Sequence, residues 1–364
     1  MSATATNRSA LFIASCASLL VTSLSFGIRA GILNVLGVEF ELSGAQLGQI
    51  AATAFWGFPV SMIIGGALVD RVGMKNLMRL AIGMVEAVCN PLVASIYPEE
   101  KTTKLNQFHL WFPGGIVIGS LVAFSFGKLG LNWQMMMAVM LVPTVWYAIQ
   151  MERMEFPVTE RIKNAVSDSE MYKELLNPLF IIITVAMLGT AISELFINQY
   201  VDVLLKSVSD NAILILLITS GVMTFGRGIA APVVKRFSTT GMLLFSAVFT
   251  TIGLYLMGTQ SGTMLFVSAV IFGIGVTYFW PTMIGFVATY LPKTGAVGMA
   301  VLGAAGMFAV SIYMRFMGGF YDGLKAGLSD VEAGRQVIIT TLYIPIVLIA
   351  VFAGVHFYIR KKHA

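Results

Sequence analysis

The sequence predicts an all-α, polytopic membrane protein built as two pseudo-symmetric helical bundles. Three observations predict it. First, 57% of the 364 residues are hydrophobic and 11% are charged, with a mean hydropathy of +0.84. Water-soluble domains are nearer 45–50% apolar and about 25% charged. Second, apolar runs of roughly twenty residues recur from end to end, each long enough to cross about 30 Å of hydrocarbon. Third, the two halves repeat. L-S-G-A-Q-L-G-Q-I from Leu42 matches V-S-D-N-A-I-L-I-L from Val208, and V-A-S-I-Y-P from Val93 matches V-A-T-Y-L-P from Val287.

A polar tail, Met1 to Ser9, precedes a first span from about Leu11 to Leu36. I-A-S-C at Ile13 to Cys16 looks like a lipoprotein cleavage box, but too few apolar residues precede it for a signal peptide. An acidic loop, Glu39 and Glu41, leads to a span from about Leu47 to Val69, which ends in G-G-A-L-V-D-R-V-G-M-K-N, Gly65 to Asn76. Then come an apolar segment, Arg79 to Tyr97, and spans from about Phe108 to Gly127 and Trp133 to Met151. The polar stretch Glu152 to Asn177 reads as a linker with a short surface helix. Six spans follow: about Leu179 to Val203, Ala212 to Val234, Gly241 to Gly258, Thr263 to Leu291, Gly295 to Tyr321 and Val337 to Tyr358. The expected division is 1–151, an N-terminal bundle; 152–177, a cytoplasmic linker; and 178–364, a six-helix C-terminal bundle. Basic loops at Arg71/Lys75/Arg79, Lys101/Lys104, the linker, Lys235/Arg236 and the tail at Arg360 place those ends in the cytoplasm.

The repeat has a gap. Ser43 to Arg71 is 28 residues and Ser209 to Arg236 is 27, but Arg71 to Pro98 is 27 where Arg236 to Pro292 is 56. The deficit is about one membrane helix. Eleven spans, with Arg71/Lys75 and Lys101/Lys104 one crossing apart, cannot hold every basic loop on one side. The expectation is an ancestral six-plus-six chain that lost a helix's worth of residues near Leu80 to Met84, joining the start of the third helix to the second half of the fourth.

Some function classes are excluded by what the chain lacks. It has no phosphate loop ending in Lys-Ser/Thr, no metal-ligand cluster and no nucleophile–base spacing. An enzyme, a metal or organic cofactor and a nucleotide-driven pump are therefore not expected. The net charge of +5 sits in loops as an orientation signal, so nucleic acid is not expected as a partner. Cys16 and Cys89 both lie in apolar runs and indicate no disulfide framework.

Polar residues inside spans are costly in lipid and mark pathways. Glu86 and Asn90 stand one turn apart on one helix face: a protonatable carboxylate beside an amide, or a structural hydrogen bond between helices. Glu194 and Asn198 repeat that spacing, with Gln199 adjacent; amides and carboxylates suit sugar hydroxyls, which donate and accept. Arg29, deep in the first span, lies within one residue of the counterpart of Glu194 at the 166-residue repeat offset. It either pairs with Glu194 across the halves or snorkels to headgroups. His109 is a ligand, a proton relay or an interfacial histidine. Trp280, beside Pro281, offers an aromatic face to a sugar, as do Trp111 and Tyr278, or simply packs. Arg227 and Arg315 read as snorkelling or motif-associated, with solute binding as the alternative.

Two six-helix halves, a charged linker and G-G-A-L-V-D-R-V-G-M-K-N resemble the major facilitator superfamily. The resemblance implies that Gly66 and Gly73 permit close packing. It also implies that Asp70 and Arg71, with Lys75, latch the halves at the cytoplasmic face. V-E-A-V-C-N-P, Val85 to Pro91, is similar to the fourth-helix E-x-x-x-N-P of the fucose/galactose/glucose:proton symporter group. K-L-N-Q-F-H at Lys104, P-T-M-I-G-F at Pro281, G-A-A-G-M-F-A-V at Gly303 and G-G-F-Y-D at Gly318 also fit. The chain departs from that group at two positions. The first-helix acid implicated in coupling aligns near Ala30, beside Arg29, and the fifth-helix glutamine implicated in sugar contact aligns with His109.

The resemblance implies proton symport by alternating access, with Glu86 carrying the proton, although carboxylates and amides also suit sodium. The favoured solute is a monosaccharide, bound at a midplane site of Glu86, Asn90, Glu194 and Asn198. The alternatives are an organic or sugar anion, prompted by Arg29, and a transport-inactive chain, prompted by the missing helix. The expected setting is a monomer in the lipid bilayer of a bacterial inner membrane.

Overall fold

The computed structural model describes residues 5–42, 44–80, 84–198 and 212–363. Helices make up nearly all of them, and no strand occurs among the described residues. In lipid a helix satisfies every backbone donor and acceptor within itself, so apolar runs this long fold this way. Nine described helical stretches are long and apolar enough to cross a membrane, with two shorter apolar helices, Val85–Ile96 and Ile215–Gly228.

The first half comprises α1 (Ala5–Glu39), α2 (Gly44–Val72), α3 (Met74–Leu80), α4 (Val85–Ile96), α5 (Lys101–His109), α6 (Trp111–Lys128), α7 (Trp133–Ala138) and α8 (Leu141–Glu152). The linker holds two short helices rather than one: α9 (Glu160–Lys163) and α10 (Asp168–Leu175). Ser167 opens α10 with a capping box closed by Glu170. The second half comprises α11 (Pro178–Ala191), running into a π turn at Ile192–Phe196, then α12 (Ala212–Gly228), α13 (Ala230–Thr259), α14 (Met264–Val276), α15 (Phe279–Tyr290), a 3-10 turn (Pro292–Thr294), α16 (Gly295–Lys325) and α17 (Asp330–His363). Ser238, at φ 62°, ψ 168°, breaks α13 where the spans Ala212 to Val234 and Gly241 to Gly258 were expected to part.

One expected span comes out differently and another lies partly outside the described residues. Within Arg79 to Tyr97 the described helices are α3, up to Leu80, and α4, from Val85. The expected join at Leu80 to Met84 falls largely on residues 81–83, outside the described residues. The 12 residues of α4 rise only about 18 Å, short of the roughly 30 Å of hydrocarbon. The span placed at Phe108 instead starts at Lys101, since the helical stretch Lys101–Lys128 is continuous enough to count as one span of 28 residues. Lys104, Asn106 and Gln107 masked its first turns, because a hydropathy window responds to polar side chains and not to helix continuity.

By internal contacts the chain forms two compact units, Met1–Asn177 with Val287–Ala304, and Pro178–Phe286 with Ala305–Ala364. The linker helices and the segment 287–304 thus belong with the first-half helices. In this unit α1 and α6 cross closely through G-I-R-A-G (Gly27, Gly31) and G-I-V-I-G (Gly115, Gly119). A Cβ on Gly119 would lie 2.7 Å from the Leu24 carbonyl oxygen, and one on Gly27 would lie 2.5 Å from that of Ile116. Small residues allow this backbone approach, which supplies packing where lipid offers no hydrophobic drive. Helix α4 is enclosed, with every residue except Ser95 buried. In the second unit α13 packs on α14 and α17, and α12 on α14.

Candidate functional site

Three polar groups meet on and beside α4. Glu86, Asn90 and His109 are 2%, 0% and 1% exposed, so each is held by protein. The expected one-turn spacing holds: Asn90 Nδ2 approaches Glu86 Oε2 at a long 3.5 Å. Asn90 Oδ1 lies 3.0 Å from His109 Nε2. The amide therefore links a carboxylate to an imidazole, a donor–acceptor chain through which protonation at one end is felt at the other. The interfacial reading of His109 is corrected. Because α5 starts at Lys101, His109 is about two turns into its span and buried. On the same helix, Cys89 Sγ lies 3.4 Å from Ser18 Oγ and ties α4 to α1.

A second constellation lies in the other unit. Arg227 on α12 and Glu194 in the π turn form an ion pair, Nη2 to Oε1 2.8 Å, with side chains 1% and 2% exposed. Arg227 Nε donates to the Thr277 carbonyl at 2.7 Å. The Trp280 backbone N–H donates to Glu194 Oε2 at 3.3 Å, and the Tyr278 hydroxyl donates to the Gly226 carbonyl at 2.9 Å. The Thr277 carbonyl and the Trp280 N–H are available because the helix is interrupted between α14 and α15.

Several expectations are corrected here. Arg227 does not snorkel; it is the partner of Glu194. Within the first unit, Arg29 is half-buried with its guanidinium 4.9 Å from the Phe26 ring centre, a cation–π contact. Asn198 is not hydrogen-bonded to Glu194 but lies 3.8 Å from Met223 Sδ. Asn198 instead turns to α12, where Met223 stands. The Trp280 ring is buried, and a Cβ on Gly306 would come within 3.1 Å of it; it packs against α16, while its backbone serves Glu194. Gln199 lies outside the described residues. Sequence reasoning overlooked the Arg227–Glu194 pair, although a signal existed: one acid in Pro178–Phe196 and one cation in Ala212–Gly228, each alone in its span.

The gating motif binds the linker. Asp70 Oδ2 accepts from Arg161 Nε at 2.6 Å, and its Oδ1 accepts from the Thr159 hydroxyl at 2.5 Å. Arg161 Nη1 also reaches Asp168 at 2.8 Å and the Val166 carbonyl at 3.2 Å. Burial works against the Arg161 charge, but the bonds to Asp70 and Asp168 outweigh it and hold its pKa above the ordinary value. Arg71, expected to share the latch, is 73% exposed and only 3.9 Å from Asp168. Its guanidinium reaches only the outer edge of the clasp, at the exposed Asp168, so Asp70 makes the close, buried contact. Lys75 Nζ donates to the carbonyls of Glu152 and Met154 at 2.7 and 3.2 Å, and Gly73 ends α2 at φ 85°. Gly66 lies against α16, where a Cβ would stand 2.3 Å from that of Ala300. Lys101 joins Glu160 at 2.7 Å and the Ala288 carbonyl at 3.0 Å. Arg161 and Lys101, both missed in the sequence, tie the linker to α2, α5 and the segment 287–304.

The helices define an all-α polytopic membrane protein, and the comparisons sharpen its class. No family model and no curated protein sequence matches the chain. Among solved structures it is similar to the major facilitator superfamily transporter FucP, the E. coli fucose:proton symporter, in its outward conformation. That match has 14% identity and a TM-score of 0.74, covering 94% of this chain and 98% of that one. It is similar to the proton:xylose symporter XylE of E. coli (12%, TM-score 0.70, 94% and 96% covered). It is also similar to the human organic anion transporter MFSD10 (11%, TM-score 0.67, 95% and 98% covered). The chain has the major facilitator fold.

Proposed function

We propose that the protein is a secondary active transporter that moves a small polar solute of the monosaccharide class together with a proton. The observation that carries this reading is the buried Glu86–Asn90–His109 chain. A carboxylate enclosed in a membrane bundle is costly unless it changes protonation as part of a cycle, and an imidazole coupled through an amide supplies a second titrating end. The solved symporters of the same fold support the choice of proton and sugar. Glu86 takes a proton from one water phase and loses it to the other as access to the solute alternates. The basic loops and linker face the cytoplasm, by the positive-inside rule, of a bacterial inner membrane.

Replacing Glu86 by Gln tests this in proteoliposomes. The variant keeps solute exchange at equal concentrations but no longer accumulates solute against its gradient under an imposed pH difference. Accumulation equal to the parent's would overturn the reading. A second reading, a chain that folds but does not transport, is favoured by the 12 residues of α4, too few for a full crossing. It predicts neither exchange nor accumulation by the unaltered protein.

A further inference from the structure

The Arg227–Glu194 pair is buried in a membrane span, joins α12 to the π turn after α11, and is not used by the proton path through Glu86. Burying two charges costs several kcal/mol per ion, and apolar replacements of such pairs often stabilise a protein. Holding helices together is therefore a weak reason to keep it. The geometry suggests another.

Glu194 sits where a foreign carboxylate would be expected. One oxygen meets the guanidinium at 2.8 Å and the other accepts the Trp280 N–H at 3.3 Å. Arg227 is itself aimed by the Thr277 carbonyl, 2.7 Å from Nε. Of the three elements that meet here, α12 is regular and the other two are irregular at the point of contact: a π turn at Ile192–Phe196 and an interruption between Val276 and Phe279. Such interruptions are where transporters free backbone groups to bind ionic solutes, and π turns concentrate at functional sites. Ser193, on the same π turn, is fully buried with a hydroxyl that has no hydrogen-bond partner among the described residues.

We infer that Arg227 and the Trp280 N–H form a carboxylate-binding site that Glu194 occupies in the resting protein, and that the solute is a monosaccharide acid. The solute carboxylate displaces that of Glu194, which takes a proton from the medium as it leaves the guanidinium. The exchange replaces one anion by another, so the net charge of the site is unchanged. The titratable groups around Glu194 are Arg227, Tyr278 at the interruption, and Tyr313, whose ring stands edge-on to Phe196 at 4.9 Å. Of these, Arg227 supplies the cation, and the two phenols stay neutral near pH 7. The inference rests on the transport reading for its solute class but places a second proton at a different residue.

The test uses the purified full chain carrying Glu86→Gln, which removes the other proton, titrated with glucuronate and with glucose by calorimetry in buffers of different ionisation enthalpy. Glucuronate is expected to bind at least ten times more tightly than glucose, with one proton taken up per anion near pH 7. Adding Glu194→Gln is expected to abolish the proton uptake and tighten glucuronate binding, because the internal competitor has lost its charge. Should that variant fail to fold, Glu194→Gln/Arg227→Gln keeps a neutral hydrogen-bonding pair. It is expected to lose at least tenfold in glucuronate affinity with glucose affinity unchanged. Equal affinity for the two sugars, glucuronate binding without proton uptake, or no glucuronate binding overturns the inference. Glucuronate binding with proton uptake in a chain that never accumulates solute would sink the transport reading and leave this site standing.

Discussion

The resemblance to major facilitator transporters gives Asp70 and Arg71, in the last turn of α2, a shared latch, whereas the structure ties Asp70 far more closely to the linker, and a pair of double-mutant cycles separates the two. Asp70 and Arg161 approach to 2.6 Å with side chains 5% and 8% exposed, whereas Arg71 and Asp168 stand 3.9 Å apart at 73% and 58% exposure. Removing one partner of a buried ion pair costs about 3–5 kcal/mol. Arg161 keeps Asp168 and the Val166 carbonyl, so Asp70→Asn falls at or just below that range, about 2–3 kcal/mol. Exposed pairs are worth about 0–1 kcal/mol because water and salt screen them. Single and double variants (Asp70→Asn with Arg161→Gln, Arg71→Gln with Asp168→Asn) are compared by reversible unfolding in mixed micelles. The first cycle is expected to give a coupling of at least about 1.5 kcal/mol and the second less than about 0.5 kcal/mol. A first coupling no larger than the second would refute the assignment of the latch to Asp70 and the linker.

Three further outcomes are expected. Gly66→Ala puts a methyl 2.3 Å from the Ala300 Cβ and costs about 1–3 kcal/mol by overpacking; adding Ala300→Gly should restore most of the loss in the same unfolding assay, and an unchanged parent-like Gly66→Ala curve would argue against this contact. Asn90→Leu cuts the link between Glu86 and His109, so proton-driven uptake should fall at least tenfold while the folded fraction on gel filtration holds. The Ser167 backbone N–H and hydroxyl hold the Glu170 carboxyl below its ordinary pKa. The ionised cap thus contributes above the unfolded value of about 4.3 and is lost as pH falls through the lower folded value. Ser167→Ala should move the Glu170 carboxyl titration back up in a carbon-13 NMR titration, and an unmoved midpoint would deny the capping box.

Much of the fold was legible because hydropathy is a local property. Each apolar run had to become a helix, whichever neighbours it found, since lipid offers its backbone no other partner. The repeat likewise pointed to the segment between Arg71 and Pro98, whose residues 81–83 lie outside the described ones. Local reasoning failed at ends and breaks. Nothing in K-T-T-K-L-N-Q shows that the helix carries on through it to bury His109, and a π turn at Ile192–Phe196 leaves no hydropathy trace.

The sequence by itself determined the membrane class, the approximate spans and which polar residues are expensive enough in lipid to need a partner. The tertiary structure decided who those partners are. Glu194 meets Arg227 rather than Asn198, Asp70 meets Arg161, and Asn90 bridges Glu86 to His109. Each pairing depends on how one helix is rotated and where it starts relative to another. Those two quantities are set by glycine-sized contacts and one-residue changes of helical register, which a one-dimensional pattern averages away.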